Sequence, residues 1–262
     1  MTGNRTQSTR DTDRDGTVDE TVHYTIDAND RLTQESTSYG KTTTYGYDHT
    51  QQTSKTVTPA DGSSVESFFT YDLQGRIETV AMTTRDTYGV AARIERTTYD
   101  YDVKGLRISA LQEINTDADS TWNQRTRTEF LVDHNNHTGY QQVVRETHYD
   151  ADTGLITKTA DYSFGHDEIT QTTRQYDAGG HVISSATLVF GHDGHGNVRV
   201  LTDLAVAVVQ MFVYDAYGQM LAIYNGAGTR ISGGNGAFAD ASVALTNLLY
   251  SGEQFDMRIG QQ

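Results

Sequence analysis

A short unit made of Tyr-Asp, a polar gap, a glycine and an aliphatic residue recurs along this chain at irregular intervals. The copies are YDLQGRI from Tyr71, YDVKGLRI from Tyr101, YDADTGLI from Tyr149, YDAGGHVI from Tyr176 and YDAYGQML from Tyr214. Repeats that stack as helices keep a nearly constant period, whereas the loops of β-hairpins tolerate changes in length at small entropic cost. The irregular spacing therefore predicts a series of β-hairpins.

Within the unit, the aspartate and the glycine are spaced as a type I turn requires. Asp at the first position accepts nearby backbone N–H groups, and Gly at the fourth tolerates a positive φ angle. Such a glycine commonly forms a β-bulge where the second strand begins. Flanking segments such as RIETVAM alternate apolar and polar residues, which is the period of a strand. The clearest pairs are Asp72/Gly75, Asp102/Gly105, Asp193/Gly196 and Asp215/Gly218.

The charge and composition of the 262 residues exclude several classes of function. A formal net charge of −15 would repel a phosphate backbone, so we expect no nucleic-acid partner. The chain has no cysteine, which excludes disulfides and thiolate metal sites. The N-terminus lacks the apolar region of a signal peptide. The longest apolar run, residues 204–214, is shorter than the roughly 18–20 residues of a membrane span.

The sequence DTDRDGTVDE at residues 11–20 predicts a Ca²⁺ site. Alternating carboxylates followed by a glycine open a calcium loop, because hard Ca²⁺ takes six to eight oxygen ligands. An EF-hand would place a glutamate where Val22 stands, so the loop is more typical of an extracellular module with Kd of about 10⁻⁴–10⁻³ M. A solvated acidic turn is the alternative. The predicted ligands are Asp11, Asp13, Asp15, Thr17, Asp19 and Glu20.

Other polar motifs give weaker indications of chemistry. His192 and His195 flank Asp193, and imidazoles beside a carboxylate can bind zinc or act as a base. The alternative is that they are ordinary residues of a hairpin turn. Paired acids for glycoside hydrolysis need one specifically raised pKa, which is not expected of an aspartate present in every repeat. We therefore predict no catalytic residue, no enzyme activity and no bound organic cofactor.

The repeats resemble the YD repeats of the RHS family, whose relatives include the teneurins. The resemblance extends to the order of four further segments, which is typical of the RHS-associated core. These segments are FLVDHNNHTGYQQVV at residues 130–144, DGHGNVRVLTD at 193–203, VYDAYGQML at 213–221 and YSGEQFD at 250–256. In this chain, TDLAVAV at 202–208 replaces a turn that typically contains glycine in the family, which predicts a distorted or apolar-faced hairpin.

The resemblance implies a fold, a role and partners. The expected fold is all-β, with antiparallel β-hairpin repeats that form a curved spiral sheet as part of a YD shell. The expected role is a non-catalytic scaffold that encloses or presents a toxin or effector domain, or mediates cell-surface interaction. The partners would be the rest of a larger RHS polypeptide or an enclosed effector, and the location secreted or cell-surface. The alternative role is a calcium-stabilised module that binds a carbohydrate or receptor.

The sequence divides into three expected regions. An acidic, calcium-loop-like segment covers residues 1–20, YD-repeat hairpins cover 21–129, and an RHS-core-like region covers 130–262. The last region contains a Gly- and Ala-rich insertion at 225–249, in which we expect a loop and a short helix near 237–249. Family members continue from GEQFD into Asp-Pro motifs for self-cleavage, but Asp256 is followed by Met257. We therefore expect a truncated or fragmentary member without a self-cleavage site.

Overall fold

A computed structural model describes residues 4–11, 15–119, 121–136, 139, 141–215, 218–233 and 239–250. These residues form 18 β-strands and a single three-residue 3-10 turn, Ala241–Val243. The predicted all-β class and the antiparallel hairpin repeats are therefore confirmed. The strands are β1 (Gln7–Arg10), β2 (Glu20–Ile26), β3 (Leu32–Thr37), β4 (Thr42–Asp48), β5 (Gln51–Thr58), β6 (Ser64–Tyr71), β7 (Ile77–Arg85), β8 (Ala91–Tyr101), β9 (Arg107–Asn115), β10 (Gln124–Asp133), β11 (Gln142–Asp150), β12 (Ile156–Phe164), β13 (Glu168–Tyr176), β14 (Val182–His192), β15 (Val198–Thr202), β16 (Val208–Tyr214), β17 (Met220–Asn225) and β18 (Arg230–Gly233).

The chain divides into two compact units, Met1–Thr126 and Arg127–Gln262. In the first unit, β1 to β9 follow one another as an antiparallel meander, each strand pairing with the next. Aromatic and small apolar residues share the buried face, because Phe69 lies opposite Val80 and Tyr99 lies opposite Ala110. Alternate residues point to opposite faces of a strand, and this alternation places those four on one side.

The second unit repeats the same arrangement from β11 to β18, again with each strand antiparallel to the next. Its core is larger and more apolar than that of the first unit. Phe190 lies opposite Leu201, and Phe212 lies opposite Ile223. These four side chains are buried in one cluster with Leu249, which comes from the segment after β18.

The turn at Asp72 shows how the hairpins are closed. The Asp72 N–H donates to the carbonyl oxygen of Arg76 (2.9 Å), and the Gly75 N–H donates to the carbonyl oxygen of Asp72 (3.0 Å). Asp72 Oδ1 accepts the N–H groups of Gln74 (2.8 Å) and Arg76 (3.0 Å). Gly75 has φ of 80°, and the following strand β7 has a bulge opposite Thr70 and Tyr71. The type I turn with a left-handed fourth residue is therefore as predicted.

The same two backbone hydrogen bonds close many other hairpins of the described chain. Three of them, at Thr37, Asp86 and Asn225, were not among the predicted turns. Asp86 and Asn225 have the glycine spacing but no preceding Tyr-Asp unit. The turns with this pattern begin at Asp27, Thr37, Asp72, Asp86, Asp102, Asp177, Asp193, Asp203, Asp215 and Asn225.

The turn at Asp203 keeps this geometry without a glycine, so the hairpin predicted to be distorted is regular. Val206 occupies the left-handed position with φ of 65°, and its N–H donates to the carbonyl oxygen of Asp203 (3.0 Å). Asp203 Oδ1 accepts the N–H groups of Ala205 and Ala207. The expected apolar character is present, because Leu204 and Val206 are both exposed. A β-branched residue is strained in this conformation.

Replacing Val206 with glycine should relieve this strain. Because Val206 is 79% exposed and loses little packing, we expect Val206→Gly to raise the free energy of unfolding by about 0.5–1 kcal/mol. The measurement is the midpoint of urea unfolding. Ala205→Gly is the matched control, because Ala205 lies in the same turn without a positive φ and should lose stability by a similar amount. Equal destabilisation by both variants would contradict the strain at Val206.

Candidate functional site

The Tyr-Asp units are joined to one another by contacts between an arginine and the next tyrosine. Arg76 follows the turn glycine, and its Nε donates to Asp72 Oδ2 at 2.6 Å. The Arg76 guanidinium lies 4.5 Å from the centre of the Tyr101 ring in the next hairpin of the same kind. The Tyr101 hydroxyl donates to the carbonyl oxygen of Ile77 (2.7 Å). We call this set of contacts the Asp–Arg–Tyr relay.

The relay recurs at the turn between β2 and β3. Arg31 Nε donates to Asp27 Oδ2 (2.8 Å), and its guanidinium lies 5.0 Å from the centre of the Tyr47 ring. The Tyr47 hydroxyl donates to the carbonyl oxygen of Leu32 (2.7 Å). Tyr71 makes the equivalent hydroxyl bond to the Gln52 carbonyl oxygen (2.6 Å). Each tyrosine therefore packs and bonds against the hairpin before it.

The second unit has a variant of the same relay. Arg199 Nε donates to Asp193 Oδ2 at 2.7 Å, and the guanidinium lies 5.2 Å from the centre of the Tyr214 ring. At Tyr149 the ring is covered by Arg127 at 4.6 Å, and the hydroxyl donates to a carboxylate oxygen of Glu129 (3.0 Å). Cation–π contacts of this kind contribute roughly 0.5–1 kcal/mol each at exposed sites.

The electrostatics of the turn aspartates favour architecture over proton transfer. A hydrogen bond from the Arg31 side chain, reinforced by the Arg31 backbone N–H, lowers the pKa of Asp27. The Asn197 side-chain amide is the main group that lowers the pKa of Asp193. A general acid or base at neutral pH needs a pKa moved toward 7, and these shifts go the other way. The carboxylates therefore stay ionised and act as acceptors for the turn.

The relay hydroxyl can be tested without disturbing the ring. Tyr101→Phe leaves the ring against Arg76 but removes the donor to the Ile77 carbonyl. We expect the free energy of unfolding to fall by about 0.5–1.5 kcal/mol, measured by urea denaturation. Tyr88→Phe is the control, because Tyr88 is 90% exposed at a turn and should change stability by less than about 0.5 kcal/mol. Equal effects of the two variants would contradict the relay.

Residues 239–250 form a second feature of the described structure, a strap across the sheet of the second unit. The Ala239 N–H donates to the carbonyl oxygen of Met220 (2.9 Å), and the Val198 N–H donates to that of Leu249 (3.0 Å). Leu248 and Leu249 are buried in the core cluster. Of the loop and short helix expected near 237–249, the described residues contain a three-residue 3-10 helix, Ala241–Val243, and are otherwise irregular.

Buried side-chain amides hold the backbone of the strap. Gln210 Nε2 donates to the Val243 carbonyl oxygen, and Gln210 Oε1 accepts the Leu245 N–H, both at 2.9 Å. Gln171 Nε2 donates to the Leu245 carbonyl oxygen, also at 2.9 Å. Gln171 and Gln210 are both almost fully buried. The strap lacks a regular strand partner, so these amides supply the hydrogen bonds that its buried backbone requires.

A buried carboxylate fixes the strap at Asn247. Asn247 Nδ2 donates to Glu146 Oε1 at 2.7 Å, and the Tyr162 hydroxyl donates to Asn247 Oδ1 at 3.0 Å. Burial opposes ionisation of Glu146, but hydrogen bonds from His148 and Asn247 overcome it, so the pKa of Glu146 lies below its usual value. Burial raises the pKa of the Tyr162 hydroxyl well above its usual value. The ionised Glu146 is thus a structural acceptor.

The predicted calcium ligands lie in and beside the loop between β1 and β2. Asp11 Oδ2 accepts the Gly16 N–H (2.8 Å), and Asp15 Oδ1 accepts the Thr17 N–H (2.7 Å) and the Thr17 hydroxyl. These carboxylates are thus turned toward the loop's own backbone. Asp13, the predicted central ligand, lies outside the described residues.

The last two predicted ligands take part in the pairing of β1 with β2. The Asp19 N–H donates to the Arg10 carbonyl oxygen (2.8 Å), and Glu20 is buried at the start of β2, 3.5 Å from the Arg10 guanidinium. Over the part of the chain that the structure describes, no three His, Asp or Glu side chains converge closely enough to hold a metal ion. The calcium site stays a prediction.

Calorimetric titration with CaCl₂ tests this prediction. If the loop binds Ca²⁺, the wild type should give a saturable heat with Kd of about 10⁻⁴–10⁻³ M. Asp13→Asn and Asp15→Asn should weaken binding by about tenfold or more, because each removes a negative charge from the ligand set. Asp117→Asn, in the loop after β9, is the control. Equal heats for all four proteins would show that the acidic loop is a solvated turn.

The two histidines singled out in the sequence, His192 and His195, have different hydrogen-bond partners. His192 Nε2 lies 3.0 Å from a carboxylate oxygen of Glu168, and this hydrogen bond raises the pKa of His192. The His195 backbone N–H donates to Asp193 Oδ1 (2.9 Å), as the third residue of a turn. The structure thus gives His192 a buried ion-pair partner and His195 a place in a turn.

The sequence did not indicate the relay arginines or the strap anchors. The arginines at the fifth turn position, Arg31 and Arg76, had a readable signal, because each stands four residues after its turn aspartate, in IDANDR and YDLQGR. Gln171 and Gln210 had none, since each binds a segment 33 or more residues away.

Comparisons with known proteins give little beyond this geometry. No protein-family model matches the sequence, and no curated protein does. Among solved structures, TcdB2-TccC3 without its hypervariable C-terminal region is 11% identical, with a TM-score of 0.39 over 94% of this chain and 15% of that one. The Photorhabdus luminescens Tc holotoxin pore (TccC3-D651A) is 13% identical, with a TM-score of 0.30 over 78% and 13%.

A third solved structure belongs to another class of protein. The porin-like protein from Bacteroides uniformis is 14% identical, with a TM-score of 0.27 over 67% of this chain and 85% of that one. TM-scores this low carry no argument about function. This chain spans only about one seventh of the two Tc structures. Its described residues include no helix with the length and apolarity needed to cross a bilayer.

Proposed function

We propose that this chain is a non-catalytic scaffold segment of the RHS/YD-repeat type, which helps to enclose or present another polypeptide. The observation that carries the proposal is the Asp–Arg–Tyr relay. In each copy the acid closes its own turn, and the arginine and tyrosine join neighbouring hairpins. The aspartate, arginine and tyrosine side chains of the relay thus make contacts that hold the sheet together.

The relay also suits a sheet that can be extended by further hairpins. Where the relay is complete, a hairpin presents an arginine to the following unit, whose tyrosine bonds back to it, as Arg31 and Tyr47 do. Contacts between neighbours alone allow a repeat protein to grow to any length. The ordered core segments of the sequence support the RHS type and, with it, a secreted or cell-surface location and an effector as partner.

Protease protection tests the enclosing role. The chain is expressed with the coding sequence on either side, and the adjoining polypeptide is followed during limited trypsin digestion. We expect the wild type to protect that polypeptide, and a Tyr47→Phe/Tyr71→Phe/Tyr101→Phe variant to expose it at least about tenfold faster, since three hydroxyl bonds between hairpins are lost. Tyr88→Phe is the control.

Two results would contradict the proposal. One is an adjoining polypeptide that is digested equally fast beside the wild type and the triple variant. The other is a gene that encodes nothing for the sheet to enclose. Specific binding of the folded chain on a glycan array would instead favour the alternative role as a carbohydrate-binding module. The relay tyrosines offer little for that role, because arginines such as Arg31 and Arg76 already cover their rings.

A further inference from the structure

Hairpins of unequal length in the second unit leave part of β14 without a neighbour on one side. β14 pairs with β13 from Val182 to Val189, but its register with β15 begins only at Val189, opposite Thr202. The chain turns at Asp203, directly after Thr202. Residues 182–188 therefore extend about 23 Å beyond the β15–β16 hairpin, at 3.3 Å per residue. Among the described strands, only β13 pairs with this stretch.

Within the described part of the chain, this edge has none of the features that usually protect a strand from pairing. Its sequence, VISSATL, contains no charged residue and no proline, and residues 182–186 are all exposed. An unprotected edge presents a row of free backbone N–H and C=O groups, which is a template for another strand. The small side chains of Ser184, Ser185 and Ala186 leave room for a second backbone at the usual spacing of about 4.8 Å.

Exposed apolar side chains lie at both ends of the edge. Val182 and Ile183 stand at the outer end, 51% and 63% exposed. At the inner end, the tip of the β15–β16 hairpin carries Leu204 and Val206, which are 73% and 79% exposed. Exposed apolar groups grouped in this way mark an interaction surface more often than scattered ones do.

We propose that residues 182–188 of β14 pair antiparallel with the same residues of a second copy of this chain. Full overlap of the segment with its own copy places Ser185 opposite Ser185 and Val182 opposite Leu188. Val182 of the second copy then lies beside Leu204 and Val206, at the tip of the β15–β16 hairpin. The apolar groups of one copy therefore cover those of the other. This interaction is independent of the enclosing role, since it requires only that β14 extends beyond the β15–β16 hairpin.

The charge of this edge is compatible with a second copy as the occupant. The chain carries a net charge of −15, which would oppose most face-to-face contacts between copies. The paired segment is uncharged over all seven residues, so like charges do not meet there. A membrane surface is less suited to this edge, because it offers no strand to satisfy the free backbone groups.

Sedimentation equilibrium of the full chain tests the proposal when a charge is introduced at Ser185, the residue that faces its own copy across the proposed two-fold axis. The wild type should show a dimer that grows with concentration. Ser185→Glu should weaken dimerisation by at least about tenfold, because the two glutamates face each other across the strands. Within one chain this residue lies opposite Arg174, so the folded monomer should be retained. Thr157→Glu, an exposed change on the interior strand β12, should leave dimerisation unchanged.

Cross-linking tests the register directly, since the chain has no cysteine of its own. Residues directly opposite in an antiparallel pair have Cβ atoms about 4.5–5.5 Å apart, within reach of a disulfide after small adjustments. Mild oxidation should convert Ser185→Cys to a covalent dimer at least about tenfold faster than Thr157→Cys, which lies on a strand paired on both sides.

Three outcomes would overturn the proposal. The first is a wild type that stays monomeric at every concentration. The second is equal cross-linking through Ser185→Cys and Thr157→Cys. The third is a monomer that floats with phosphatidylcholine vesicles and loses this property in Ser185→Glu, which would assign the edge to a lipid surface.

Discussion

The carboxylate that accepts two N–H groups of its own five-residue turn is the interaction on which most of these hairpins depend. In the turn at Asp72 it holds the N–H groups of Gln74 and Arg76, so the turn type, the left-handed fourth residue and the following bulge are fixed together. Loop type sets strand register in a hairpin. A one-residue slip would move each buried aromatic to the other face, and the aspartate therefore determines which side chains form the core.

The turns at Asp203 and Asp86 show why sequence reasoning succeeded for the fold and failed for some of its parts. The Asp…Gly spacing identified four turns correctly, because acceptor and left-handed residue are both visible in the sequence. It misjudged the turn at Asp203, where the carboxylate and backbone bonds hold Val206 in a conformation that it disfavours. The turn at Asp86 has the same Asp…Gly spacing, without a tyrosine before the acid, and was overlooked. The tyrosine joins hairpins to one another, whereas the acid closes the turn.

The strap of residues 239–250 shows a different limit of sequence reasoning. Its backbone is satisfied by Gln171 and Gln210, which are separated from it by 33 to 74 residues. Side-chain amides carry both a donor and an acceptor, so a buried glutamine can take the place of a missing strand neighbour. Nothing in the spacing of the sequence distinguishes these two from exposed glutamines. The candidate calcium loop has the opposite character, because its ligands are all local and its motif is readable from the sequence alone.

Variation in hairpin length explains how the repeat produces an edge that can pair with another strand. A relay that joins only neighbouring hairpins sets no length for the strands, so each hairpin can be longer or shorter than the next. Where a long hairpin meets a short one, as at Val189, the longer strand loses a neighbour over seven residues. The cost of leaving backbone groups unpaired falls on that edge, and water satisfies them only while the edge is exposed. The unpaired stretch of β14 therefore follows from the same tolerance of hairpin length that lets the repeat vary. It also sets where a second strand can be added.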